Sequence, residues 1–123
     1  MTDAALSESL LSSLGKLPPS KQAAVSSRLS WIARARPNQL RPETMKPVWL
    51  VQAGRGFGKT RVGAEESWFN CAINDNWRWA VVAPTHNDLR RVCFEGESGL
   101  LACTPKEVLL NGSVSDAYNR TLC

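Results

Sequence analysis

The chain has 123 residues, of which 43% are apolar, and it carries a formal net charge of +4. A chain of this length can form one modest domain, but doubly wound nucleotide-binding folds usually need more residues, so we expect a part of a larger protein. It has no apolar run near the ~20 residues that span a bilayer and no secretory signal at its start, so we expect a soluble protein in a reducing compartment. The four cysteines form no C-x-x-C pair, so we predict reduced cytosolic thiols rather than a zinc site.

The excess positive charge lies in residues 1–46, which contain seven Lys or Arg and three Asp or Glu. Apolar spacing predicts a short helix over residues 3–14 and a second helix from Ser20, as its N-cap, to about Arg36. The second helix has an apolar stripe that we expect to be buried: Val25, Leu29, Ile32 and Ala33. Three prolines in residues 37–47 predict an extended connection. Residues 1–46 are therefore interpreted as a helical leader with a proline-rich connection.

Two apolar runs predict buried parallel strands, at residues 48–51 and 79–83. A helix is expected between them, from about Lys59 to Ile73. Thr85, with an acidic residue three positions later, has the spacing of a capping box and predicts another helix start. The order strand, helix, strand, helix predicts an α/β fold with an incomplete P-loop NTPase parallel sheet after the short helical leader.

A glycine-rich loop follows the first apolar run and leads into the predicted helix: Ala53, Gly54, Arg55, Gly56, Phe57, Gly58, Lys59 and Thr60. Glycines let a backbone approach phosphate groups closely and adopt positive φ, so we expect Gly54, Gly56 and Gly58 to do so. The lysine is placed to reach the β- and γ-phosphates, and the threonine hydroxyl to bind Mg²⁺. The loop departs from G-x-x-x-x-G-K-[ST] only at Ala53, and alanine is the smallest substitute for glycine. The motif predicts binding of ATP with Mg²⁺.

Several segments in order resemble the ATPase region of the large terminase subunit of tailed bacteriophages, which packages and cuts viral DNA. They are residues 36–40, 49–65, 80–85 and 95–101, with a weaker similarity at 118–120. The resemblance covers most of residues 31–123 and none of the first thirty. It implies that residues 47–123 are the amino-terminal part of a P-loop ATPase domain, truncated before Walker B and the nuclease domain.

The resemblance also implies roles for individual residues. Lys59 and Thr60 correspond to the phosphate and metal ligands. Arg55 matches an arginine inside the phosphate loop, which physically suits stabilisation of charge on the transferred phosphoryl group; a solvated loop arginine is the alternative. Gln39 resembles a glutamine that reads adenine in related motors, and its amide has the donor and acceptor to do so. The alternative for Gln39 is a polar residue in a proline-rich loop.

The resemblance implies a motor that hydrolyses ATP to move double-stranded DNA into a capsid in the host cell cytoplasm. Its implied partners are the small terminase subunit, a portal protein and further copies in a homo-oligomeric ring. No apolar run followed by Asp-Asp or Asp-Glu occurs after Thr60, so we expect the chain alone to be inactive in hydrolysis. The alternatives are a fragment of a helicase-like or repair P-loop ATPase, or an inactive prophage remnant.

The tryptophans and the Arg90-Arg91 pair allow a second interpretation, which is stacking and charge contacts on single-stranded DNA. Trp49, Trp68 and Trp79 lie within the motifs of the expected core, however. Because a tryptophan buries a large apolar area, we predict that these three pack in the core instead.

Overall fold

The computed structural model describes residues 3–44 and 47–109, and its regular structure is helical. The described part contains five α-helices: α1 Asp3–Gly15, α2 Pro19–Arg34, α3 Lys59–Ile73, α4 His86–Asp88 and α5 Leu100–Cys103. Short 3-10 turns lie at Pro37–Gln39 and Lys106–Val108, and a π-helical turn, Leu89–Phe94, continues directly from α4. No helix in this part of the chain is long and apolar enough to cross a membrane.

The core is centred on α3, which packs against both α2 and α5. Ala24 of α2, Ala64 and Trp68 of α3, and Cys103 of α5 form one buried apolar cluster. The small alanines let α2 and α3 approach closely, and Trp68 is the largest side chain of the cluster. The prediction of a core tryptophan is confirmed at Trp68 and is wrong at Trp79, which is 44% exposed.

The predicted parallel sheet is wrong, because no residue within 3–44 and 47–109 is in a β-strand. Residues 48–51 and 79–83 are irregular, and no backbone hydrogen bond joins either run to another described segment. Val48, Leu50 and Val82 are 81%, 79% and 89% exposed. A strand is stabilised by ladder partners and by burial of a face, and neither run has these here. The described part is therefore all-helical rather than α/β.

Both leader helices are confirmed, but the buried face of α2 is not the predicted one. The helix begins at Pro19, and its N-cap is Pro18 rather than Ser20. Leu29 and Ile32 of the predicted stripe are 57% and 45% exposed. The buried residues of α2 are Ala24 and Trp31, so the helix presents a different side to α3.

Two glutamates of α3 are buried, and each pairs with an arginine. Glu66 pairs with Arg28 of α2, and both side chains are nearly inaccessible. Glu65 is 2% exposed; its carboxylate accepts from the Arg61 guanidinium at 2.7 Å and from the indole Nε1 of Trp68 at 2.7 Å. A buried carboxylate is tolerated only when it is paired and hydrogen-bonded, and each of these is.

Burial has a chemical consequence at Cys103, because desolvation raises the pKa of its thiol from 9.0 to about 11, against a smaller lowering effect of Arg61. The thiolate is the reactive form, so at pH 8 iodoacetamide should modify Cys103 far more slowly than the exposed Cys71. The folded-state pKa lies above the unfolded one, so this contribution to stability is present below pH 9 and is lost as the pH rises through about 11. Equal modification rates of the two cysteines, measured by mass spectrometry of peptides, would contradict this.

Candidate phosphate-binding site

The glycine-rich loop reaches α3 through two glycines in the left-handed region, where Gly56 has φ of 80° and Gly58 has φ of 89°. Positive φ was also predicted for Gly54, and that residue does not have it. Gly58 is the N-cap of α3, and no side chain caps the first turn. The first N–H groups of α3 are therefore left without a side-chain acceptor at the positive end of the helix dipole, which is the arrangement that binds anions.

The Lys59 side chain hydrogen-bonds to the first residues of its own loop. Its Nζ donates to the carbonyl oxygens of Ala53 at 2.8 Å and Gly54 at 2.9 Å, which holds the ammonium across the start of the loop. The side chain is exposed, so a phosphate group can reach the ammonium from solvent.

Gln39 and Arg36 fasten the loop to the end of the leader. Gln39 is 7% exposed; its Oε1 accepts from the backbone N–H of Arg36 at 2.9 Å, and its Nε2 donates to the Phe57 carbonyl at 2.6 Å. The Arg36 guanidinium donates to the same carbonyl at 2.7 Å and lies 5.0 Å from the centre of the Phe57 ring. The amide predicted to read adenine is thus used here to position residue 57.

The same amide limits the space at Gly58. A Cβ built on this glycine would lie 3.0 Å from Nε2 of Gln39. Close approach and positive φ therefore both favour glycine at position 58.

We expect Gln39→Ala to release the loop. It removes two buried hydrogen bonds and leaves the Phe57 carbonyl with Arg36 alone, which should lower the free energy of unfolding by about 1–2 kcal/mol. Hydrogen exchange of the amides at residues 57–60 should accelerate in the same variant. The control is Asn38→Ala, which truncates an exposed neighbouring amide. Equal exchange rates in the two variants would show that Gln39 does not position the loop.

A cavity of about 480 Å³ lies over the loop and the start of α3. This volume is within the range of small-molecule sites. Its wall includes two predicted site glycines, Gly56 and Gly58, together with the following charged and hydroxyl side chains: Arg55, Lys59, Thr60, Arg61, Arg91 and Glu97. Among the described residues, the wall carries four cations and one carboxylate, a composition that favours anions. Arg55, Lys59 and Thr60 are brought together as predicted, whereas Gln39, Gly54 and Phe57 are not on this wall.

Sequence reasoning missed two cations of the cavity. Arg61 is held in place by Glu65, and its guanidinium lies 5.5 Å from the centre of the Trp31 ring. Arg91 comes from the π-helical turn, thirty or more residues beyond the loop. Arg61 directly follows the loop, in the first turn of α3, so its position in the sequence could have indicated it. No local signal places Arg91 on the cavity.

A second cavity, of about 450 Å³, has a different character. Trp68, Trp79, Phe94 and Leu100 line it, and none of the described residues on its wall is charged. It shares no lining residue with the cationic cavity. Its surface does not suit a phosphate group.

The residues present fit a nucleotide phosphate with Mg²⁺: uncapped helix N–H groups, one ammonium, a half-buried threonine hydroxyl and several guanidinium groups. The described residues contain no cluster of three or more His, Cys, Asp or Glu that would hold a metal alone. A Mg²⁺ ion here would depend on Thr60 and on phosphate oxygens. No protein-family model, curated protein or solved structure matches the chain.

Proposed function

We propose that this chain binds ATP with Mg²⁺ through the loop at residues 53–60 and the first turn of α3. The observation that carries the proposal is the coincidence of the loop with the cationic cavity. Two left-handed glycines, an uncapped helix start and Lys59 all meet there. The proposal depends on the loop and one helix, and it requires no sheet.

Each residue has a distinct task in this proposal. Lys59 exchanges its bonds to the two loop carbonyls for phosphate oxygens, and the N–H groups of the first turn of α3 donate to the same anion. Thr60 presents its hydroxyl to Mg²⁺, which neutralises phosphate charge when bound. Arg55, exposed on the cavity wall, stabilises charge that develops during phosphoryl transfer. Gln39 and Arg36 keep the Phe57 carbonyl, and so the loop, in place.

We further propose that this ATP site belongs to a DNA-packaging motor of the large terminase kind. The support is the ordered set of sequence segments that resemble that family, from residue 36 to residue 101. The activity would then be ATP-driven translocation and cleavage of double-stranded DNA in the host cytoplasm. The motor would act with the small terminase subunit, a portal protein and further copies of itself.

The ATP site and the packaging role are tested by separate experiments. Calorimetric titration of the purified chain with Mg-ATP tests the nucleotide site, and a lack of saturable binding would contradict it. The packaging role is tested by the coding sequence that carries this chain. An apolar run ending in Asp-Glu and a carboxylate-rich nuclease segment in the same reading frame would support a terminase. Helicase motifs there would contradict the packaging role and leave the ATP site standing.

A further inference from the structure

Arg91 lies on the wall of the cationic cavity although the motif at residues 53–60 does not include it. It belongs to the π-helical turn Leu89–Phe94, which follows α4. Thr85 starts α4 by accepting a hydrogen bond from the Asp88 backbone N–H at 3.1 Å, as the capping-box spacing predicts. The turn is therefore anchored at its beginning, and the wide π-helical geometry that follows sets where Arg91 projects.

Two glycines then fold the chain back against this turn. A Cβ at Gly96 would lie 2.9 Å from the carbonyl oxygen of Val92 and 3.0 Å from that of Arg91, and a Cβ at Gly99 would lie 2.5 Å from that of Phe94. Such distances leave no room for a side chain at either position. The tight return brings Glu97 and Ser98 to the cavity wall beside Arg91. Five residues within 91–98 therefore form a second wall of the site, distinct from the glycine loop: Arg91, Val92, Gly96, Glu97 and Ser98.

The two adjacent arginines of this turn differ in their surroundings. Arg90 donates to Glu95 at 3.1 Å and is not on the cavity wall. Arg91 is exposed, and within residues 3–44 and 47–109 no carboxylate forms an ion pair with it. Arg91 adds to the positive charge of a wall that also carries Arg55, Lys59 and Arg61, and an entering anion would neutralise this charge. The planar fork of Arg91 suits two oxygens of one phosphate group.

We propose that Arg91 is a phosphate ligand of the nucleotide, contributed by the wall at residues 91–98 and acting together with Lys59. The inference rests on the proposed ATP site and extends it to a residue outside the phosphate loop. It also gives a role to the Glu95-Gly96-Glu97-Ser98-Gly99 segment. Its glycines allow the close return that places the second wall against the first.

The test compares Arg91→Ala with the matched control Arg90→Ala, because the two variants remove the same charge one residue apart. Binding of Mg-ATP and of inorganic tripolyphosphate is measured by calorimetry in the complete chain at one salt concentration. Arg91→Ala should weaken both ligands about tenfold or more, since a charge-assisted bond to phosphate is lost. Arg90→Ala should change either affinity by less than about twofold, as expected for a solvent-screened charge. Arg91→Lys should retain an intermediate affinity, because lysine keeps the positive charge but lacks the planar guanidinium that can bind two phosphate oxygens at once.

The outcomes separate this inference from the ATP site itself. If the unaltered chain binds Mg-ATP and Lys59→Ala abolishes binding, but Arg91→Ala matches Arg90→Ala, the role of Arg91 is overturned and the site remains. A loss confined to ATP, with tripolyphosphate binding unchanged, also overturns it, because Arg91 would then contact another part of the nucleotide. If the unaltered chain binds neither ligand, both proposals fail. Circular dichroism of each variant shows whether a loss reflects unfolding.

Discussion

Lys59→Ala should reduce the affinity of the chain for Mg-ATP by about 100-fold, because it removes a charged donor to the phosphates in every nucleotide state. The same truncation breaks the bonds to Ala53 and Gly54 that span the loop in the unliganded chain. Those bonds are exposed, so we expect little loss of folding stability from them. Titration calorimetry measures the affinity and urea unfolding measures the stability. An affinity within threefold of the unaltered chain would show that the ammonium is not a phosphate ligand.

Arg55→Ala should behave differently, because Arg55 is proposed to act on charge that develops during phosphoryl transfer. In an assembled motor that hydrolyses ATP, we expect turnover to fall by about 10³-fold while affinity falls much less than in Lys59→Ala. Equal losses of affinity in the two variants would make Arg55 an ordinary phosphate ligand. Unchanged turnover would leave it as a solvated loop residue.

Glu65→Ala should be strongly destabilising. The carboxylate is 2% exposed and holds both the Arg61 guanidinium and the indole N–H of Trp68. Its removal leaves a buried donor without an acceptor, a cavity beside the core and an arginine without its partner. We expect the free energy of unfolding to fall by about 3–5 kcal/mol, a large part of the stability of a small domain. Urea unfolding followed by circular dichroism measures this.

The control for Glu65→Ala is Glu95→Ala, which breaks an ion pair with Arg90 in which both side chains are well exposed. An exposed pair contributes little, so the change should stay within about 0.5 kcal/mol. If the two variants lose the same stability, the burial of Glu65 does not decide its contribution.

Helix α3 was predictable because local chemistry sets both of its ends. The glycine loop delivers the chain to Lys59, and the turn that contains Asn76, with φ of 65°, follows the helix after Ile73. The capping box at Thr85 was equally local and is confirmed. In each case the signal lies within a few residues of the feature, so no knowledge of tertiary contacts was needed.

The buried face of α2 could not be read from its apolar residues. The face toward α3 contains Ala24, Arg28 and Trp31, which are spaced by four and three residues. Arg28 belongs to it because Glu66 of α3 provides a buried carboxylate. An apolar pattern does not count an arginine as part of a contact face, so it predicts the stripe of Val25, Leu29, Ile32 and Ala33 instead.

The prediction of a parallel sheet was wrong for a related reason. Residues 48–51 and 79–83 have the composition of buried strands, but a strand forms only with a hydrogen-bonded neighbour, and composition does not supply one. Arg91 was missed because its place on the cavity depends on a π-helical turn and on close backbone contacts at Gly96 and Gly99. These are three-dimensional relations between segments, which spacing along the chain does not encode.

The central claim is that the loop and the first turn of α3 bind the phosphates of a nucleotide. Amide chemical shifts, recorded by NMR while Mg-ATP and then adenosine are added, test it most directly. We predict that ATP shifts the amide signals of Gly56, Gly58, Lys59 and Thr60 in a saturable way, and that adenosine, which lacks phosphates, leaves them unchanged. Saturable shifts located elsewhere, with these four amides unaffected by ATP, would contradict the claim.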